Sequence, residues 1–187
     1  MLNSFELRKA LISKRKDFFS INEDGLTIDV KPYSLTCAEI VKNTVNIIKK
    51  LNAKTVMLYL PMNGEVDITG ITELPLRFYV PVTHGVEIKP AEYNADQKLI
   101  KVKFGVSVPE CPIYTDKHSL DLVLVPAVAV DREKNRMGYG KGCYDRFLAD
   151  MDCVKAAVCF DFQVTDSLNT QPHDVKMDYI ITESGCF

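Results

Sequence analysis

The sequence predicts a three-layer α/β/α fold, a single domain of residues 1–187 built on a mostly parallel central sheet. Three observations lead there. Two stretches, LDLVLVPAVAV at 120–130 and VKAAVCF at 154–160, are apolar almost without interruption, as strands covered on both faces are. Strand-like segments alternate with helix-like ones, the pattern of layered α/β folds. The length, 187 residues, suits one domain, because at this size roughly 70% of the unfolded chain's surface is buried on folding.

The first helix is expected over about 4–19. Leu7, Leu11 and Phe18 share a stripe that Lys14 completes through its aliphatic stem, while Arg8, Lys9, Arg15 and Lys16 fall on the remaining surface. Asn3 and Glu6 are placed to cap its start. The turn-rich INEDGLTIDVKP links it to a second helix, which opens on a capping box of Thr36 and Glu39. Ala38, Val41, Val45, Ile48 and Leu51 give that helix an apolar face, with Asn46 and Lys49–Lys50 on its solvated side. Strands follow at 55–60, 76–82, 99–104, 120–130, 154–160 and 178–182, with 55–60, 120–125 and 154–160 interior. LIKVKF (99–104) alternates, which suits an edge or antiparallel strand. A third helix begins near Gly142 and turns Phe147 and Leu148 inward. The expected order is α-α-β-(short α)-β-β-β-α-β-β.

Charge excludes some functions. Lys+Arg 23 against Asp+Glu 25 leaves a net charge of −2, which makes no case for nucleic acid or for a polybasic membrane surface. No apolar run reaches membrane-spanning length, and charges from Glu6 onward interrupt any signal-peptide core. The six cysteines form no CxxC pair and, with three histidines, no closed zinc pattern; Cys159 sits in an apolar run, while Cys111 and Cys186 are the better candidates for oxidation. A cytoplasmic monomer is the expectation.

The densest chemistry lies in DREKNRMGYGKGCYDR, 131–146. Gly138, Gly140 and Gly142 permit close backbone approach, the following helix start favours an anion, and Arg136 and Lys141 flank them with positive charge. This reads as a phosphate loop, against the plainer reading of a solvated surface turn. It is neither a Walker A loop nor a Rossmann fingerprint, since Lys141 is followed by Gly142 and the third glycine is misplaced. Asp145 is either the helix partner of Lys141 or a Mg²⁺ ligand beside phosphate, and Asp174 is the candidate second carboxylate. His173 reads as exposed or structural, and Asp178 as the start of the last strand. In YLPMNGEVDITGI, 59–71, Glu65 either receives the polar edge of a heterocycle or is a solvated turn residue. Asp67 reads best as the N-cap of a short helix through Leu74.

Together these blocks resemble the 5-formyltetrahydrofolate cyclo-ligase family. YLPMNGEVDI, then LDLVLVPAVAVDREKNRMGYGKGCYDRFL, then FDFQV with QPHDVKMDYIITE occur in the family's order and span almost the whole chain, with only a loose match over 84–119. The resemblance implies MgATP-dependent conversion of 5-formyltetrahydrofolate, free or polyglutamylated, to 5,10-methenyltetrahydrofolate. By position it implies that Arg8, Arg136, Gly138, Gly140, Lys141, Gly142 and Asp145 meet the nucleotide, Arg136 and Lys141 also serving catalysis. It further implies that Glu65 and Tyr144 meet the folate and that Asp145 and Asp174 hold Mg²⁺.

Three positions depart from the family pattern. Ser4 stands where a lysine usually pairs with Arg8, Cys143 replaces a tyrosine, and Val108 replaces a glutamate. The alternative reading is a divergent, non-catalytic folate- or nucleotide-binding paralogue, supported only by Ser4. Thiol redox chemistry fails for want of a CxxC or a base near any cysteine.

Overall fold

The computed structural model describes residues 3–23, 33–102 and 105–187. Seven strands form the central sheet in the order β12-β11-β9-β6-β1-β2-β3: β1 Thr55–Met57, β2 Arg77–His84, β3 Glu87–Tyr93, β6 Leu122–Pro126, β9 Val154–Val158, β11 Tyr179–Thr182 and β12 Gly185–Cys186. The β2–β1–β6–β9–β11 pairings are parallel, and β3 and β12 close the edges antiparallel. All three strands expected in the interior are there.

Side-chain alternation along these strands makes two cores. Val56, Leu58, Leu122, Leu124, Ala156 and Val158 face one side, where helix α2 (Tyr33–Leu51) lays down Cys37, Ile40, Ile47 and Ile48. Met57, Val123, Val125 and Ala157 face the other, against Phe147 and Leu148 of α3, Cys143–Leu148. Each interior strand is therefore buried on both faces, the physical reason for its unbroken apolar sequence.

Helix α1, Ser4–Glu23, is capped as expected. Asn3 Oδ1 accepts from the backbone N–H of Phe5 and Glu6 at 3.0 Å, and Glu6 Oε2 accepts from Asn3 N at 3.0 Å. Leu7 and Leu11 pack on Val128, Ala129 and Met137, so α1 lies over a small three-stranded sheet beyond the carboxyl end of β6: β7 Ala129–Asp131, β8 Arg136–Met137 and β10 Val164–Thr165. Buried Asp131 ties that region together, accepting from Glu133 N, Asn135 N, Asn135 Nδ2 and Leu168 N at 2.8–3.0 Å.

Several details correct the sequence expectations. Helix α2 is in place by Tyr33, so Thr36 is a buried helical residue and not a cap; the buried stripe runs through Cys37, Ile40, Thr44 and Ile47, leaving Ala38 exposed. The stretch 120–130 breaks into β6 and β7, because the chain leaves the central sheet after Pro126. The segment at 99–104 gives β4, Leu99–Lys101, antiparallel to β5, Ser107–Pro109, outside the central sheet. Positions 103 and 104, and the linker from 24 to 32, lie outside the described residues. The short helix after β1 is a 3₁₀ turn, Thr69–Glu73, whose N-cap is Ile68; Asp67 opens it one residue earlier by accepting from Thr69 N and Oγ1 at 2.9 and 2.6 Å. Val108 is buried beside Val82 and Ala91, which accounts for an apolar residue there.

Candidate functional site

The carboxyl ends of β1 and β6 and the segment after β8 converge under α1, where a layered α/β sheet leaves room for ligands. A cavity of about 300 Å³ opens there, lined by Ser4 and Arg8 of α1, residues 136–142, Tyr144 and Asp145 of α3, and the loop from Leu168 to Asp174. The described geometry thus brings Arg8, Arg136, the three glycines, Lys141, Tyr144, Asp145 and Asp174 around one space. Glu65 is not on its wall. It sits behind, in the turn after β1, with 4% of its side chain exposed.

Arg136 is the fixed cation. Its Nη2 donates to Asp145 Oδ1 at 3.1 Å, and only 4% of its side chain is exposed. Its guanidinium stands 5.7 Å from the centroid of the Tyr144 ring. Its Nε is buried with no hydrogen-bond partner, an arrangement that costs about 1–3 kcal/mol unless a ligand or water satisfies it. Gly138 leaves room for it, since a Cβ there would lie 2.6 Å from Arg136 Nη1 and displace the guanidinium. Arg8 Nε donates to the Gly138 carbonyl at 2.9 Å, and the same guanidinium underlies Gly140. Gly140 and Gly142 adopt φ +92° and +62°, conformations that side-chain-bearing residues rarely hold.

The α3 helix has only six residues, so its dipole adds little to the field. Positive charge at the cavity comes from Arg8, Arg136 and Lys141, the last exposed at the lip. Asp145, spaced for a helix pairing with Lys141, is ion-paired with Arg136. Asp174 accepts from Gln171 N at 2.7 Å, and His173, largely exposed, stands 3.8 Å from its carboxylate.

Among the described residues no group of three or more His, Cys, Asp or Glu side chains forms a metal cage. Mg²⁺ needs none, because it binds through one or two carboxylates, waters and substrate phosphates. Two hard carboxylates, Asp145 and Asp174, on the wall of a cavity rich in cations fit that mode.

Glu65 is held by a turn with Asn63 and Gly64 at φ +52° and +70°. Its Oε2 accepts from Met62 N at 3.1 Å. Burial pushes its carboxyl pKa up, opposed by Arg15, the Met62 N–H and a hydrogen bond from Tyr139. Burial, reinforced by the nearby Glu65 charge, also raises the pKa of the Tyr144 hydroxyl. At the contact with α1, a Cβ on Gly64 would come within 3.0 Å of the Arg15 carbonyl and 3.1 Å of Phe19 Cβ.

Arg15 and Tyr139 are the residues that sequence reasoning missed. Arg15, expected on the solvated face of α1, is 1% exposed. Its Nε donates to Asn63 O at 3.1 Å, its Nη1 to Ala127 O at 3.3 Å and its Nη2 to the Tyr139 hydroxyl, and Nη2 lies 4.0 Å from Glu65 Oε1. Its spacing was the available signal: four residues after Leu11 and three before Phe18, it falls on the buried stripe.

Residues 4–183 match the 5-formyltetrahydrofolate cyclo-ligase family. The 5-formyltetrahydrofolate cyclo-ligase of Mycoplasma genitalium is 33% identical over 190 residues, covering 97% of this chain and 98% of that protein. The enzyme of the same name from Mycolicibacterium smegmatis is 31% identical over 71% of this chain and 75% of its own. Among solved structures, the 5,10-methenyltetrahydrofolate synthetase of Aquifex aeolicus superposes with a TM-score of 0.75 at 27% identity, covering 97% of this chain and 90% of that one.

Proposed function

The chain belongs to the 5-formyltetrahydrofolate cyclo-ligase family, and from that premise we propose that it closes 5-formyltetrahydrofolate to 5,10-methenyltetrahydrofolate at the expense of ATP. The observation that carries the ATP half is the convergence of Arg8, Arg136, Lys141 and the glycine loop on one cavity, with Asp145 and Asp174 on its wall. That is a site asking for an anion.

The formamide carbonyl is a weak electrophile and its oxygen a poor leaving group. In the proposed sequence, the formyl oxygen attacks the γ-phosphorus of ATP, the bond to the β-phosphate oxygen breaks, and ADP leaves with the electron pair. The N5 lone pair stabilises the resulting iminium phosphate. N10 then attacks the formyl carbon, the carbon–oxygen bond breaks, inorganic phosphate departs and the N10 proton is released. Both reacting nitrogens belong to one molecule, so no enzyme nucleophile is needed. Cys143, half-buried at the start of α3, is left out of the chemistry.

The chain's task is alignment and charge neutralisation. Arg136, fixed by Asp145, and Lys141, at the exposed lip, would face the transferring phosphoryl group; Arg8 and the glycine-loop amides would hold the remaining phosphates. Asp145 and Asp174 would hold Mg²⁺, which supplies further charge neutralisation at the phosphates when bound. Glu65 would accept from the donor edge of the pterin, with the Tyr144 ring beside it. Ser4 lines the same cavity, so the usual lysine contact is replaced by a shorter polar one.

The test is the near-ultraviolet absorbance of methenyltetrahydrofolate, followed with purified protein and 5-formyltetrahydrofolate with and without MgATP. Formation only with MgATP supports the proposal. Folate binding without turnover would support the non-catalytic alternative instead.

A further inference from the structure

Tyr139 stands between Gly138 and Gly140, yet its hydroxyl leaves the phosphate side and reaches the folate side. It accepts from Arg15 Nη2, and that same nitrogen lies 4.0 Å from Glu65 Oε1. Its ring lies 5.6 Å from the Arg15 guanidinium. We infer that Arg15 and Tyr139 couple the two substrate sites, so that an ordered nucleotide loop fixes the Glu65 carboxylate and each substrate strengthens the binding of the other. The inference rests on the proposed reaction and adds to it a regulatory link between its two substrates.

The geometry supports a link of this kind and not mere packing. Arg15 is buried, and its donors are committed to three separate segments: the 62–65 turn, the end of β6 at Ala127, and the glycine loop through Tyr139. Two of those acceptors are backbone carbonyls, Asn63 in the turn after β1 and Ala127 just past the end of β6. The third belongs to the glycine loop, where Gly140 and Gly142 take φ +92° and +62°. Phosphates drawn to the loop amides would restrict residues 138–142, and the restriction would pass through the Tyr139 hydroxyl and the Arg15 guanidinium to Glu65. Whichever ligand binds first pays for ordering that contact, and the second binds to a site already ordered. Linkage then requires the same enhancement in either order. Arg15 and Tyr139 are positioning residues under this inference, for they act through Glu65.

The test compares the Kd of 5-formyltetrahydrofolate, by calorimetric titration, with and without a non-hydrolysable ATP analogue and Mg²⁺. In the wild type the analogue should tighten folate binding by about fivefold or more, within the usual range for coupled sites, and folate should tighten analogue binding by the same factor. Tyr139→Phe keeps the ring and removes the hydroxyl on a half-exposed loop. In that variant both factors should fall to nearly one while each ligand alone still binds. Arg15→Lys, which keeps the charge and loses the fork, should also reduce the factor, with circular dichroism checking the fold. An unchanged factor in Tyr139→Phe, or a factor of one in the wild type, overturns the coupling while leaving the reaction intact. A wild type that binds no folate overturns the reaction and the coupling with it.

Discussion

The guanidinium of Arg136 and the carboxylate of Asp145 meet at 3.1 Å, one 4% and the other 14% exposed. The pair fixes the arginine from one side and leaves its Nε unsatisfied on the other. Asp145 therefore has two roles in the account, orienting a cation and helping to hold a metal. Asp145→Asn removes one charge at nearly constant volume. It should raise the Mg²⁺ concentration needed for half-maximal turnover and lower the maximum, and, because the buried Arg136 guanidinium loses its partner, lower the unfolding temperature while the fold stays intact. Asp174→Asn should affect the metal requirement alone, since Arg136 pairs with Asp145. Unchanged magnesium dependence in both variants would contradict the assignment.

Lys141 separates a surface role from a catalytic one. A surface lysine replaced by alanine costs a few tenths of a kcal/mol in stability and leaves turnover alone. Removing a preorganised contact to the transferring phosphoryl group costs on the order of 3 kcal/mol, roughly a hundredfold in rate. Lys141→Ala is expected to fold and to turn over at least tenfold more slowly, as read from initial rates at saturating MgATP. Arginine at 141 should restore activity only in part, because its planar fork is not a compact ammonium.

Gly138 offers a steric probe of the same site. A methyl group there meets Arg136 Nη1 at 2.6 Å, and Arg136 is buried and tied to Asp145, so its guanidinium must move. Gly138→Ala should cost about tenfold or more in turnover while the unfolding temperature stays close to that of the wild type. Equal kinetics would mean that the position of Arg136 is immaterial.

Glu65 carries a prediction about pH. Its pKa is raised in the folded state by burial, so the folded protein takes up a proton more readily there than the unfolded chain. Above the ordinary carboxylate range the ionised group lowers stability, and the penalty is complete once pH exceeds the raised value. Glu65→Gln lacks that titration. The unfolding temperature of the wild type relative to Glu65→Gln should therefore fall as pH rises from about 4 to 8. Folate affinity should drop in the variant more than nucleotide affinity, by separate titrations.

The interior of the fold was legible because strands buried on both faces have to be apolar throughout, as at 120–125 and 154–160. The strands β3, β5, β8, β10 and β12 were not anticipated: β5, β8, β10 and β12 have two or three residues, too few to hold a pattern, and the longer β3 is interrupted by Pro90 and charged residues. The glycine loop announced itself by composition. Arg15 did not, since one charged residue among several on a basic helix reads as solvated; only the segments that arrive from 63, 127 and 139 give it partners. Such a site is assembled by long-range contacts, to which local periodicity is blind.

The central claim is that the formyl oxygen is phosphorylated before N10 attacks, and following that oxygen tests it most directly. With 5-formyltetrahydrofolate carrying a heavy oxygen isotope in the formyl group, single-turnover reaction with MgATP should deliver the label to inorganic phosphate, detected by mass spectrometry. Label recovered in water, with unlabelled phosphate, would contradict phosphoryl transfer to the substrate.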